Sequence, residues 1–460
     1  MAAIVAALVL VNVALVLREL QRGGSSPAPG VGRLHVALFL LCLALVTAPQ
    51  AYRSYRAADG LPYTWTTSKV WLASAECAKE TLKFLVLCRD GQVVPIADGF
   101  GGDDLGHALA LEIYSATTQV TVQPEQISRL NTTLNYAAMV ALALLLMTSG
   151  LRVAALAMLM GGTLIANNLH ALTPHPAQFA AACFAALLPI AILGRPRCRA
   201  AWMAAGFFAL GLALLLREAI GMMGVLTSLI AAALLFVRQR TVAPVLLALA
   251  IVATSATPFL LLRARDVAYQ LPPPEKLESH GAFANLYMGL GAVPNPFGIA
   301  WSDFSAIDAV KAIDPSVAYL SPRFYEILQA RYFEIVRDSP AEVTSIYLAK
   351  LMVTLRTEMP GLPFRPVLWL ALLVIVAAGA LVRRGRRFDA AADSCDAVLV
   401  ACASLAGAFV AQAVLISFDM QYLFPAQIFL LLAMAAIVDM MLPVRKLPRA
   451  AAKSPGAAGS

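Results

Sequence analysis

Charge is what this chain has least of. Only 13% of its residues are Asp, Glu, Lys or Arg, about half the share of an ordinary soluble domain. So little charge cannot cover a soluble surface. Nucleotide-binding signatures are missing too. No Walker loop occurs and no Gly-x-Gly-x-x-Gly follows a strand-like run, so no nucleotide-binding domain is expected. The apolar blocks contain no chain of acids of the kind that relays protons in pumps. No internal repeat is evident, which argues against a transporter built from inverted halves. No basic residue precedes the apolar run Ala2–Leu17. That run reads as a retained first helix, or as one lying at the membrane interface, rather than a cleaved signal.

What the chain does have is apolar length. Hydrophobic residues make up 60% of it, and the mean hydropathy is +0.75. They fall in blocks near the roughly 20 residues that cross a bilayer core as helix. Apolar spans are read near 2–17, 35–49, 134–149, 152–167, 177–193, 201–216, 221–237, 242–262, 365–382, 395–416 and 423–442. The fold class is therefore an all-α polytopic membrane protein of about 11 transmembrane helices. The net charge of +8 would suggest nucleic acid in a soluble protein. Here the basic residues sit at the ends of apolar blocks, where they set orientation, so no nucleic acid partner is expected.

Alternate connections carry that charge. Arg18, Arg22 and Arg33 lie between the first two spans, and Arg152, Arg195, Arg197, Arg199, Arg238 and Arg240 follow later ones. Arg383, Arg384, Arg386 and Arg387 follow the ninth, and Arg445, Lys446, Arg449 and Lys453 follow the last. The intervening connections 168–176 and 417–422 have no Lys or Arg. By the positive-inside rule the basic set and the C-terminus face the cytoplasm, and both long polar segments, 50–133 and 263–364, face outward. The chain then divides into N-terminal spans 1–49, a first outer loop 50–133, a helix bundle 134–262, a second outer segment 263–364, C-terminal spans 365–442 and a basic tail 443–460. The two outer-face segments are expected to form a small mixed periplasmic region. The Ala- and Arg-rich composition points to a bacterial inner membrane.

The outer segments have internal pattern. Lys83–Cys88 and Gln92–Ala97 flank Arg89-Asp90-Gly91, a hairpin signal. Cys77 and Cys88 share this segment and are placed to bridge in an oxidising compartment; the alternative is two thiols. Asp103 or Asp104 is positioned to cap the following helix-like run. Further on, Ser321-Pro322 reads as a helix start with Phe324, Ile327, Leu328, Tyr332 and Ile335 on its apolar face. A second helix, about 341–357, carries Lys350 and Arg356 and is expected at the membrane surface.

Four groups have chemical potential. Asp103-Asp104 with His107 puts carboxylate and imidazole at helical spacing, suited to general-base work or to help hold a divalent cation. The plainer reading is a cap and a solvated loop. Arg217-Glu218 interrupts an apolar run at the outer side, where an arginine can grip a lipid phosphate; the plainer reading is a loop ion pair. Lys350 and Arg356 lie where phosphate headgroups are expected, or simply snorkel. Arg263 and Arg265 are weaker candidates for that role. His280 and Asp303 bracket a Gly-, Pro- and aromatic-rich stretch able to form a substrate wall, or a structural loop. His170 and His175, in an outer connection, read as structural.

The motif Gly-Gly-Asp103-Asp104-Leu-Gly-His107, in a first large outer loop followed by many helices and a smaller outer domain, resembles the C-type membrane glycosyltransferases. That superfamily includes protein O-mannosyltransferases and lipid A aminoarabinose transferases. The segment His280…Gly289-Leu-Gly291…Asn295-Pro-Phe-Gly298…Asp303, with Ser321-Pro-Arg-Phe-Tyr and Tyr347-Leu-Ala-Lys350, is similar to a stretch in bacterial membrane proteins grouped with them. Tyr422-Leu-Phe-Pro425 resembles their terminal Arg-Tyr-Leu-x-Pro, with Gln421 in place of the basic residue. The resemblance implies a polyprenyl-phosphate-sugar donor and a glycan, lipid or protein acceptor. Asp103 or Asp104 would be the base, and Arg217, Lys350 or Arg356 the holder of the leaving phosphate. The alternatives are an envelope polysaccharide polymerase or ligase, resting on Arg323, Arg331 and Arg337, or a lipid-linked sugar transporter.

Overall fold

A computed structural model describes residues 33–57, 66–99, 104–167, 177–194, 196–274, 276, 281–357, 390–418 and 423–441. The expected spans at 2–17 and 365–382 lie outside these residues, as do Asp103, His170, His175, His280, Gln421 and Tyr422.

The first rod is α1 (Arg33–Cys42), a π-helical turn Leu43–Thr47 and α2 (Ala48–Ala57). Then follow α3 (Thr66–Thr81), β1 (Val86–Arg89), β2 (Gln92–Pro95) and α4 (Leu105–Thr118). The central helices are α5 (Pro124–Thr148), α6 (Arg152–Asn167), α7 (Gln178–Leu193), α8 (Arg199–Leu216) and α9 (Glu218–Gln239). After them come α10 (Ala243–Ser255), α11 (Thr257–Tyr269), α12 (Ala282–Gly289), α13 (Asp303–Ile313), α14 (Pro322–Asp338) and α15 (Pro340–Arg356). The chain closes on α16 (Ala390–Leu415) and α17 (Ala426–Met441).

Helix α7 is the axis of the bundle. Every one of its residues is buried, and α5, α8, α9 and α16 pack around it. A helix that is apolar on all sides is stable only where protein or lipid surrounds it. Among the described residues, five helices are long and apolar enough to cross a membrane. The bent pair α10–α11 makes a sixth if it is one span, and α6, α7 and α17 are apolar but shorter. The molecule is thus a multi-helix membrane protein.

Two span boundaries differ from the sequence reading. The helix expected from 134 begins at Pro124, and its first turns carry Arg129, Asn131, Thr132 and Asn135. Those polar residues hid it from a hydropathy reading. Asn131 bonds His107 of the first polar unit, Arg129 lies over the Tyr55 ring of α2, and Asn135 accepts from Ala180 N–H of α7. The span expected at 242–262 is two helices bent by 51°. Pro258 explains the break, because it has no N–H to give and its ring clashes with the carbonyl one turn back.

Polar contacts tie the helix ends into two groups. At one end, the Asp439 carboxylate accepts hydrogen bonds from the backbone N–H groups of Arg152, Val153 and Ala154, capping α6. Arg197 N–H donates to the Thr148 carbonyl at the same end. At the other, Gln50 donates to Asn167, and Arg265 donates to the Leu85 carbonyl. Each contact joins segments that the arginine pattern assigns to one side.

The two long polar segments form separate units, each with its own core. The first combines α3, the hairpin, α4 and the start of α5 around Trp71, Leu85, Ile96, Leu111 and Ile127. Its hairpin turns at Asp90-Gly91, both with positive φ, as the sequence predicts. A disulfide joins Cys77 to Cys88. The second unit, α12 to α15, has helices and loops but no strand among its described residues, so the mixed character belongs to the first unit alone. Ser321 caps α14 by accepting from Phe324 N–H, and Phe324, Ile327, Leu328 and Tyr332 are buried.

Candidate functional site

The N-terminus of α4 meets the break between α8 and α9. Gly106 makes this possible: a Cβ there would stand 3.1 Å from the Leu215 backbone. Arg217 closes α8 and opens α9, with φ −158° and ψ 99°. Its Nη1 lies 3.6 Å from Asp104 Oδ1, with the Asp104 side chain almost wholly buried. The sequence placed these two in separate groups; the structure brings them together.

Asp104 does not cap α4 with its side chain. Its backbone is left-handed (φ 63°, ψ 41°), whereas a capping residue is normally extended. Such a conformation costs a non-glycine residue about 1–2 kcal/mol, with aspartate among the most tolerant types. The cap expectation is therefore corrected for Asp104: its carboxylate serves the ion pair.

His107, one turn on, is buried. Its ring stacks on Trp71 at 4.6 Å, nearly parallel, and Nε2 shares a 2.6 Å hydrogen bond with Asn131 Oδ1. Because an amide oxygen only accepts, Nε2 carries the proton in this contact. α3, α4 and α5 thus fix the ring's orientation together. The Asp104–Arg217 pair lies where the first polar unit meets the helix bundle, with the His107 ring one helical turn along α4.

Deeper in the same unit lies Glu112, fully buried on α4. It contacts the Ser74 hydroxyl and accepts from Leu85 N–H at 3.0 Å. Arg265 lies nearby, donating to Leu85 O at 2.8 Å and to the Asp266 carboxylate. Burial pushes the Glu112 carboxyl up to about 7, against the opposing pull of Ser74, Leu85 and Arg265. Sequence reading passed over Glu112, although it is the lone acid in the run Leu105–Thr118.

The other predicted residues do not join this cluster. Lys350 is fully buried rather than at a headgroup surface, and donates to the carbonyls of Gly289 (2.8 Å) and Ile416 (2.9 Å). Burial pulls its amine down to about 7. Both expected roles, snorkelling and phosphate grip, are corrected by that burial. Arg356 and Glu218 are exposed. Asp303 is the exposed first residue of α13. Arg323, Arg331 and Arg337 are exposed and pair with Glu326, Glu334 and Asp338 on their own helix, so no arginine site gathers there. Among the described residues no group of three or more His, Cys, Asp or Glu is placed to hold a metal ion.

The fold is that of a multi-helix membrane protein, with a buried acid paired to a part-buried arginine beside its bundle. No protein-family model, curated protein or solved structure matches the chain.

Proposed function

We propose that this protein is a membrane transferase that moves a sugar from a polyprenyl-phosphate donor to a hydroxyl of an envelope glycan, lipid or protein. The observation that carries this reading is the Asp104–Arg217 pair. It unites an acid and a phosphate-binding cation at the mouth of an apolar bundle, where a lipid-borne substrate arrives. The Cys77–Cys88 disulfide favours an oxidising, outer compartment for this end of the molecule, and the arginine pattern puts the C-terminus in the cytoplasm.

The chemistry follows from the pair. A donor phosphate competes with Asp104 for the Arg217 guanidinium, whose fork suits phosphate oxygens. Losing its cation makes the carboxylate more basic. Asp104 then takes the proton of the acceptor hydroxyl as that oxygen bonds to the anomeric carbon. The bond from that carbon to the phosphate oxygen breaks, and the electron pair leaves with the polyprenyl phosphate. Arg217 stabilises the charge that develops there. A single displacement inverts the anomeric centre. His107, fixed by Trp71 and Asn131, borders the acceptor side. Asp103 precedes Asp104 in the motif and is the second candidate base.

The test is release of labelled sugar from polyprenyl-phosphate donors by the purified protein and its Asp103→Asn/Asp104→Asn double variant. Release that vanishes in the variant supports the assignment. Release that survives removes these acids from the mechanism.

A further inference from the structure

A pocket of about 180 Å³ opens in the second unit, between α15 and the loop that follows α12. Val293, Pro294 and Pro296 form one wall, and Glu342, Ser345, Ile346 and Ala349 of α15 form the other. One side chain holds the loop wall in shape. Asn295 donates to the carbonyls of Val293 (3.1 Å) and Ile299 (2.8 Å). Its Oδ1 accepts from the N–H groups of Phe297 (3.1 Å) and Ile299 (3.2 Å). Both ends of the amide are spent inside the loop, so the two prolines stand in place before any ligand arrives, and binding need not order them.

Glu342 is the charged residue of this lining. Among the described residues it makes no ion pair or hydrogen bond. It lies in the first turn of α15, where a negative charge suits the helix dipole. Ser345, also exposed, places a hydroxyl one turn further along the same lining. The pocket thus offers a cation an open carboxylate with a hydroxyl beside it.

Its depth points to a lipid. Lys350 follows Ala349 and donates to the Ile416 carbonyl, just beyond the end of α16. That helix is one of those long and apolar enough to cross a membrane, so the pocket lies at the level of the headgroups. One turn beyond Ser345 and Ala349, the side chains of Leu348, Met352 and Val353 are apolar and exposed. They offer a track for an acyl chain whose headgroup sits in the pocket.

We propose that this pocket binds the ethanolamine headgroup of a membrane phospholipid, its ammonium on Glu342 and its phosphate accepting from the Ser345 hydroxyl. Charge and size select that headgroup. A primary ammonium brings three N–H donors to the carboxylate, and a trimethylated choline brings none. A glycerol headgroup has no cation, and a serine headgroup sets a second carboxylate against Glu342. The volume of about 180 Å³ is below the roughly 300–1,000 Å³ of sites for drug-sized ligands, which suits a headgroup without its chains. The proposal stands whether or not the transferase reading does.

The experiment is native mass spectrometry of the purified full-length protein, titrated with phosphatidylethanolamine, with phosphatidylcholine of the same chains, or with chain-free glycerophosphoethanolamine. The variants are Glu342→Gln, which removes the charge, and Ser345→Leu, which fills the pocket and keeps it. Glu326→Gln, an exposed acid on α14 of the same unit, is the control. The expected result is one tight phosphatidylethanolamine adduct on the wild type and the control. Phosphatidylcholine should bind several-fold more weakly, as should phosphatidylethanolamine to both pocket variants. Equal phosphatidylethanolamine binding by the wild type and Ser345→Leu overturns the site, even where Glu342→Gln misfolds. Equal binding of the two lipids by the wild type overturns the ammonium assignment. Glycerophosphoethanolamine binding as tight as that of the lipid overturns the lipid assignment and leaves a soluble-amine site instead.

Discussion

The Ser74 hydroxyl lies between two buried acceptors, the Val86 carbonyl and the Glu112 carboxyl. The Ser74 Oγ–H already points at the Val86 carbonyl, 2.6 Å away, and a carbonyl can only accept. The same hydroxyl also donates to Glu112 Oε1. Glu112 Oε2 meanwhile accepts from Leu85 N–H. Burial holds Glu112 towards its neutral form, against the pull of the Ser74 and Leu85 hydrogen bonds.

The consequence is a pH dependence with a definite sign. The Glu112 carboxyl titrates at about 7 folded against 4.5 unfolded, so the folded state binds the extra proton. Its stabilising share is complete below the unfolded value and is lost as pH rises through the folded one. The loss is at most about 3 kcal/mol at 1.36 kcal/mol per unit. Thermal unfolding of the first polar unit should come at a higher temperature at pH 5 than at pH 8. Glu112→Gln keeps both hydrogen bonds without titrating, and should flatten that difference. An unchanged pH profile in the variant would show that another group is responsible.

Removing Asp104 and removing Arg217 should not be equivalent. Asp104→Asn deletes the base and should cut kcat by a factor of 100 or more, in line with the usual size of general-base effects of about 10²–10⁴. Arg217→Lys keeps the charge but loses the bidentate fork. It should raise KM for a polyprenyl-phosphate donor more than it lowers kcat. Steady-state kinetics with the wild type as reference separates the two. Equal effects on both constants in both variants would mean that the pair is structural.

How much of this was legible in the sequence depends on scale. Apolar blocks and arginine placement sufficed for the helical bundle, because hydropathy is a local property. The hairpin and the Ser321 cap were legible for the same reason: Asp-Gly and Ser-Pro encode their geometry over a few residues. The Asp104–Arg217 pair was not, since its partners come from α4 and the α8–α9 break and nothing local couples them. Lys350 was misread for a related reason. Helical spacing placed it on α15, but only packing shows that the carbonyls of Gly289 and Ile416 enclose its amine.

That enclosure makes its own prediction. A Cβ on Gly289 would come within 2.6 Å of the Leu415 carbonyl and 2.7 Å of the Ile416 carbonyl. Gly289→Ala should therefore push the second unit off the end of α16. Lys350→Met should leave two buried carbonyls without their donor, at about 1–3 kcal/mol each. Both variants should expose α12–α15 to limited proteolysis while the first unit stays resistant. Uniform resistance in both would mean that Lys350 contributes nothing to this junction.

The proposed chemistry needs Asp104 and Arg217 on the outer side, which fixes the way the molecule must face. Cys198 is an exposed cysteine outside the disulfide, between Arg197 and Arg199, at the end of the bundle that carries Thr148, Arg152 and Asp439. Arg217 lies at the far end of the single helix α8, which begins at Arg199. One membrane-spanning helix of 18 residues separates the two, enough to cross about 27 Å at 1.5 Å per residue. A membrane-impermeant maleimide should thus leave Cys198 unmodified in intact spheroplasts and label it once the membrane is permeabilised. Labelling in intact spheroplasts would invert the molecule. Asp104 would then face a reducing compartment, where neither the Cys77–Cys88 bridge nor an outward-facing sugar donor belongs.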